Sequence, residues 1–292
     1  RHAYLSALLG IPHLVVAVNK MDLVDWQEDV FDGIVRDFLS LAGRLRGVRD
    51  TTFIPISALH GDNVVDRSAN TDWYSGPALL EFLETVPLGE DRNLVDARFP
   101  VQWVIRDGAT DYRGYAGQVA SGVFRAGDEV LVLPSGARTT VASVETFDGP
   151  LDEAFAGMSV TLRLADERDV SRGDMIVKAS EDAVRVTREF EADVCWMGEQ
   201  PLRPGARFEL KHTTSTVRAV VDAVDEVVDV ETLEPRVGDG SPAELALNDI
   251  GRVRLRVSRE LALDPYAVNR ATGAFILIDE ATNDTVGAGM VR

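Results

Sequence analysis

The sequence predicts an α/β region, with a parallel sheet and flanking helices, followed by two all-β barrels. Up to about residue 86, apolar runs of strand length alternate with amphipathic helical patterns, which is typical of a parallel sheet covered by helices. From about residue 95, short strand patterns follow one another between turns rich in Gly and Pro, which favours antiparallel barrels. The polar segment 88–93 indicates a linker, so we expect domains at 1–88, 94–180 and 184–292.

The first region opens with a helical pattern at 4–9 that Gly10 terminates, and a strand over 13–18 follows. Asp25 is expected to cap the next helix, because Glu28 completes a capping box. The apolar residues at helical spacing along that helix are Val30, Ile34, Phe38, Leu41 and Leu45.

A second apolar strand is expected over 52–56, and a long polar loop follows it at 61–75. Pro77 then opens a helix that runs to Val86, because proline suits the first helical position. This helix is expected to turn Leu79, Leu80 and Leu83 inward.

The rest of the chain reads as two groups of short strands, with no helix of comparable length. The first barrel is predicted from strand patterns at 99–105, 117–123, 129–133, 139–146, 159–164 and 174–178. The second is predicted from patterns at 188–195, 206–212, 217–227, 251–257, 274–278 and 286–291.

The composition excludes several classes of function. The 292 residues carry a formal net charge of -18, with no basic stripe, which disfavours binding to nucleic acid. No apolar run reaches the roughly 18 residues of a membrane helix, and the N-terminus does not resemble a signal peptide. The single cysteine cannot form an internal disulfide, and the four histidines lack metal-ligand spacing, so we expect a cytoplasmic protein without a metal site.

Two short motifs carry the chemistry. Asn19-Lys20-Met21-Asp22 follows the first strand, and Ser57-Ala58-Leu59 follows the second. Ligands of α/β sheets bind beyond the carboxyl ends of the strands, so both motifs should face one site. A carboxylate accepts both donors on one edge of guanine, which suits Asp22, and adenine lacks that pair.

The other motif residues have complementary predicted roles in binding guanine. Asn19 can bond the base and tie the two loops together, and the stem of Lys20 can lie over the base. The backbone N–H of Ala58 should meet the guanine carbonyl, Ser57 can orient Asp22, and Leu59 completes the motif. His60 follows and could touch the nucleotide or simply occupy a surface loop.

With these motifs the chain resembles a translation-factor-type GTPase, such as elongation factor Tu. The resemblance covers the later half of the G domain and the two barrels that follow it. Longer strings resemble one branch, the GTPase subunit family of bacterial sulfate adenylyltransferase. They comprise 1–11, 53–65, 73–77, 112–122, 133–136, 263–266 and 269–273. The resemblance implies an enzyme subunit that binds GTP or GDP and couples GTP hydrolysis to adenylylsulfate formation from ATP and sulfate. It also implies a heterodimer with a small ATP-sulfurylase subunit, and some family members continue into an adenylylsulfate kinase domain.

One departure from the family limits the activity expected of these residues. The sequence contains no G-x-x-x-x-G-K-S/T phosphate loop, and its G-domain region, 1–88, has neither the switch threonine nor the D-x-x-G metal loop. We therefore assign no catalytic residue, expect an N-terminally truncated polypeptide that does not hydrolyse GTP alone, and expect Mg²⁺ only in the complete protein.

Three residues are candidates for contacts between domains or subunits. The segment 107–115 has the composition of a loop, and the equivalent loop of translation GTPases faces the G domain and partners, so Arg113 and Tyr115 are interface candidates. His212 is a third candidate, although a plain strand end explains it equally well.

Two alternative functions remain open at this point. The chain could be a translation-factor-like carrier of RNA, against which its acidity argues. It could also be a scaffold that binds no nucleotide and uses its barrels to dock a partner.

Overall fold

The computed structural model describes residues 2–42, 48–87, 93–110, 112–180, 184–229, 236 and 243–292. The chain divides into two compact units, Arg1–Asp91 and Arg92–Arg292. The predicted linker 88–93 lies outside the described residues except for Asn93. No helix in the described ranges has the length and apolarity that a membrane span requires.

The first unit is an α/β layer built on two parallel strands. Its elements are α1 (His2–Leu8), β1 (His13–Val18), a 3-10 helix (Met21–Val24), α2 (Glu28–Ala42), β2 (Asp50–Pro55) and α3 (Leu79–Thr85). The strands pair in parallel from His13↔Asp50 to Val18↔Pro55. A parallel pair needs a long crossover, which α2 supplies, so both strands end at the same edge of the sheet.

The start and the buried face of α2 differ from the prediction. Asp25 has a left-handed backbone (φ 50) and closes the 3-10 helix, so it does not cap α2, and the predicted capping box is wrong. Phe31 is buried against Val18 and Met21, and Val35 packs beside it, whereas Ile34 is exposed. The prediction is therefore wrong for Ile34, whereas Val30 and Phe38 are half-buried as predicted, with the Phe38 ring 5.5 Å from that of Phe53. The side chains of Leu41 and Leu45 lie outside the described part.

The helix after the long loop also turns differently from the prediction. It begins at Leu79 rather than at Pro77, and Ala78 before it is buried. Leu80 and Leu83 are exposed, so their predicted inward orientation is wrong, while Leu79 is half-buried. Apolar spacing identified the helix but not the direction of its face.

The second unit begins with a barrel of short strands. They are β3 (Arg98–Asp107), β4 (Tyr112–Gln118), β5 (Val123–Arg125), β6 (Glu129–Leu133), β7 (Ala137–Thr146), β8 (Gly149–Leu151), β9 (Glu153–Phe155), β10 (Ser159–Leu164) and β11 (Met175–Lys178). The sheet order is β10-β4-β3-β11-β6-β7-β8, and β10 also pairs with β7, which closes a ring of six strands. The segment 107–115 is not one loop, because β4 starts at Tyr112.

A closed six-stranded barrel completes this unit. Its strands are β12 (Arg185–Trp196), β13 (Arg207–His212), β14 (Ser215–Val228), β15 (Ile250–Leu263), β16 (Ala274–Ile278) and β17 (Thr285–Val291), and α4 (Arg270–Gly273) precedes β16. They pair in the order β12-β15-β14-β13-β16-β17. All six strand patterns of the prediction fall on these strands, and alternate residues form one apolar core.

A buried polar contact joins the two barrels. Arg98, in β3, is completely buried and donates from Nε and Nη2 to the two carboxylate oxygens of Asp264 at 2.9 and 3.0 Å. Thr272 donates its hydroxyl to the same carboxylate at 2.5 Å. Because a buried guanidinium needs a carboxylate partner, this pair fixes the first barrel against the second.

Candidate guanine-nucleotide site

The carboxyl ends of β1 and β2 bring the two predicted motifs together. The backbone N–H of Ile56 donates to the carbonyl of Val18 at 2.9 Å, and that of Met21 donates to the carbonyl of Ile56 at 3.2 Å. The segments 19–22 and 57–59 therefore lie side by side at one edge of the sheet, as the sequence predicts.

Asn19 connects the two segments through its side-chain oxygen. Asn19 Oδ1 accepts from the backbone N–H of Lys20 at 2.8 Å and from that of Ala58 at 3.0 Å. The tie between the loops is thus present, but the Ala58 N–H, which was expected to meet the base, is bonded to Asn19. Among the described residues, the amide nitrogen of Asn19 has no protein partner and is available to a ligand.

Asp22 lies on the 3-10 helix that follows β1. Its neighbour Met21 is buried in the core of the unit and anchors the helix, while the Asp22 carboxylate keeps 17% of its surface exposed. The imidazole Nε2 of His60 lies 3.8 Å from Asp22 Oδ2. A ligand can therefore reach this carboxylate, which accepts hydrogen bonds only.

The side chain of Ser57 stabilises its own segment and does not orient Asp22. Its side chain is completely buried, and its hydroxyl oxygen accepts from the His60 N–H at 3.3 Å. Within the described ranges it makes no hydrogen bond to Asp22, so the predicted orienting role is not observed. Leu59 is 83% exposed, which leaves an apolar side chain beside the site.

The long loop 61–75 holds both segments, which the sequence did not reveal. Asn63 is buried in it and donates from Nδ2 to the carbonyl of Pro55 at 2.8 Å and to Thr71 Oγ1 at 2.9 Å. Trp73 donates its indole N–H to the carbonyl of Trp26 at 3.0 Å. Polar composition predicted a loop, and no motif indicated these anchors.

The three interface candidates lie in strands of the barrels. Tyr115 is buried in β4, where it donates to the carbonyl of Arg168 at 3.2 Å, and burial raises the pKa of its phenol. Arg113 lies over the Tyr115 ring, with its guanidinium carbon 5.6 Å from the ring centre. Their role at an interface stays a prediction, and the loop on which it was based is not observed.

His212 is an interior residue of the second barrel. It is 2% exposed, and its Nε2 donates to the carbonyl of Thr272 at 2.7 Å. Burial lowers the pKa of its imidazole, which favours the neutral form. The side chain is therefore packed inside the barrel, and its role at an interface stays a prediction. Among the described residues, no cluster of His, Cys, Asp and Glu could hold a metal ion.

Two family models match the region of the barrels. Residues 115–177 match the model described as Elongation factor Tu domain 2. Residues 189–292 match the model described as GTP-eEF1A C-terminal domain-like. These matches agree with the two barrels of the second unit.

Curated proteins similar to this chain have names that refer to sulfate activation. The chain is 53% identical over 295 residues to "Bifunctional enzyme CysN/CysC" of Mycobacterium tuberculosis, with 100% of this chain and 47% of that protein covered. It is 49% identical over 291 residues to "Sulfate adenylyltransferase subunit 1" of Cellvibrio japonicus, with 100% and 60% covered. The chain thus spans about half to three fifths of the length of these relatives.

Two solved structures are similar in fold to this chain. The crystal structures of sup35 complexed with GMPPNP and with GDP match at TM-scores of 0.60 and 0.62. Each covers 99% of this chain and 71% of the sup35 chain, at 24% identity. This likeness concerns the fold alone, and the predicted fold class, a partial G domain followed by two barrels, is confirmed.

Proposed function

We propose that this chain, which belongs to the family of sulfate adenylyltransferase subunit 1 in the translation-factor GTPase superfamily, supplies guanine recognition and two barrels to a GTPase subunit. In this proposal the complete subunit hydrolyses GTP and couples that reaction to the formation of adenylylsulfate from ATP and sulfate. Its partner is a small ATP-sulfurylase subunit in a heterodimer, and its compartment is the cytoplasm.

The observation that carries the proposal is the joined pair of segments at the sheet edge. Asn19 ties the segment of Asp22 to that of Ala58, so a base between them meets a carboxylate and an amide in a fixed arrangement. Guanine offers N1–H and N2–H₂ to one carboxylate, and adenine would leave that acceptor unpaired. A binding site rejects a ligand strongly when that ligand leaves a polar group of the site without a hydrogen-bond partner, so these residues select guanine.

The residues present do not by themselves support hydrolysis. The 292 residues include no phosphate loop, and phosphoryl transfer depends on positioning of the phosphates and of Mg²⁺. We therefore assign to Asn19, Lys20 and Asp22 the choice of base. Phosphate and metal binding belong to parts that this sequence does not contain.

Reconstitution tests the coupling directly. The complete gene product that carries these residues would be mixed with the candidate small subunit, and pyrophosphate release from ATP and sulfate would be measured with and without GTP. The proposal expects GTP-dependent pyrophosphate release from the pair and no GTP hydrolysis by the 292-residue chain alone. Equal pyrophosphate release without GTP would contradict the coupling.

A further inference from the structure

The two guanine-reading segments depend on a turn that is strained at its far end. Asp25 and Trp26 follow the 3-10 helix of Asp22 and have left-handed backbones, with φ of 50° and 55°. Residues that carry a Cβ atom are sterically disfavoured in this backbone region. The turn folds back so that Trp26 donates its N–H to the carbonyl of Met21 at 3.0 Å. A conformation of this kind persists only when its surroundings support it.

Trp73 supports this turn from a distant part of the sequence. Its indole N–H donates to the carbonyl of Trp26 at 3.0 Å, across 47 positions of the chain. Its ring packs against Phe31, with ring centres 5.3 Å apart, and Phe31 in turn contacts Met21 in the core. Trp73 therefore holds the Asp22 segment by one hydrogen bond and one packed ring.

The same loop holds the other segment through Asn63. Asn63 Nδ2 donates to the carbonyl of Pro55, the last residue of β2, two positions before Ser57. Next to it, the carbonyl of Asp62 accepts from the Ser57 N–H at 3.2 Å. Ser68 donates its backbone N–H to Asn63 Oδ1 at 2.7 Å, which fixes the amide within the loop. One loop thus sets the position of both segments relative to the sheet.

We propose that the loop 61–75 is a brace for guanine specificity, and that Trp73 and Asn63 are its positioning residues. The inference rests on the proposed function, because it concerns how Asp22 is aimed at the 2-amino group of guanine. Neither residue needs to touch the nucleotide. If the loop loses one of these contacts, the Asp22 carboxylate becomes more mobile. Its hydrogen bond to the 2-amino group of guanine then weakens more than the other contacts with the nucleotide.

The test compares two nucleotides that differ only in that amino group. Trp73→Phe in the complete gene product removes the indole N–H but retains an aromatic ring against Phe31. Equilibrium binding of GDP and of IDP, which lacks the 2-amino group, gives the ratio of the two affinities. The brace predicts that this ratio falls about 3- to 10-fold, the range that one lost hydrogen bond allows.

A matched control separates aiming from general loosening of the loop. Tyr74→Phe, at the next position, removes a hydroxyl that donates to the carbonyl of Pro77 at 3.2 Å, away from both segments. Its ratio of GDP to IDP affinity should equal that of the wild type. Equal losses of GDP and IDP affinity in Trp73→Phe, or no loss at all, would overturn the brace.

Two further measurements keep the outcome unambiguous. If Trp73→Phe does not fold, the rate of hydrogen exchange at the Trp73 indole N–H is measured in the wild type instead. The brace predicts that this rate is slower in the GDP complex than in the IDP complex. Equal rates would refute the brace. Asp22→Asn is measured in parallel for binding of xanthosine diphosphate. If Asp22→Asn changes the base preference while Trp73→Phe leaves the ratio constant, only the brace fails; if Asp22→Asn changes nothing, the proposed function fails.

Discussion

Replacing Asp264 by Asn should lower the free energy of unfolding of the second unit, which contains the two barrels. The carboxylate is 1% exposed and receives two parallel hydrogen bonds from Arg98, which is itself fully buried, and a third from Thr272. Asn has nearly the same shape but cannot balance the guanidinium charge. The substitution therefore leaves a buried positive charge that no longer has its carboxylate.

The expected loss is large. Removing one partner of a buried ion pair costs about 3–5 kcal/mol, because the remaining charge has no water to solvate it. With a urea dependence of about 2–3 kcal/mol per M for a unit of this size, the unfolding midpoint should fall by about 1–2 M. The loss should appear in the transition of the second unit, which contains both barrels.

A geometrically matched pair on the surface supplies the control. Arg254 binds Asp225 with the same two-bond geometry, 2.9 Å for each bond, but both groups are largely solvated. Asp225→Asn should leave the urea midpoint almost unchanged, since exposed pairs contribute little. Urea denaturation followed by circular dichroism measures both variants. Equal midpoint shifts for Asp264→Asn and Asp225→Asn would refute the assignment of the cost to burial.

Three other substitutions test the packing and the pH response of the same unit. Gly122 has φ 71 and a Cβ there would lie 2.3 Å from Ala97 Cα, whereas Gly127 has φ 90 and open space around it. By thermal denaturation, Gly122→Ala should therefore cost about 2–5 kcal/mol and Gly127→Ala about 1–2 kcal/mol; equal losses would contradict the clash. Because burial lowers the pKa of His212, the unfolded state binds more protons below about pH 6.5, so stability falls on acidification. His212→Gln should flatten the slope of unfolding free energy between pH 7 and 5.5, and an unchanged slope would show that His212 does not cause it.

The sequence predicted the strands well because their signal is local. The strands β1, β10 and β16 begin and end where apolar alternation and turn residues predict. The segment 107–115 was predicted to be a loop because Gly and charged residues are frequent in it, and a strand was expected at 117–123, whereas the strand observed is β4, Tyr112–Gln118. Strand patterns are thus reliable where composition and periodicity agree.

Local patterns did not predict which face of α2 is buried or which contacts hold the guanine-nucleotide site, because both depend on contacts with other parts of the chain. The apolar spacing of α2 fits two neighbouring faces, and only packing against Met21 selects the face of Phe31. The left-handed turn at Asp25 has no motif of its own, so a capping box seemed plausible there. The bond between Trp73 and Trp26 spans 47 positions, and no local pattern encodes it. The motifs themselves were found because their residues adjoin the strand ends.

The base preference of Asp22→Asn tests the central claim, that Asp22 selects guanine, most directly. Fluorescently labelled GDP and xanthosine diphosphate would be titrated into the complete gene product and into its Asp22→Asn variant. The side-chain amide can donate to the extra carbonyl of xanthine, so the variant should lose affinity for GDP and gain affinity for xanthosine diphosphate. Unchanged affinities for both nucleotides would contradict the claim and remove Asp22 from the site.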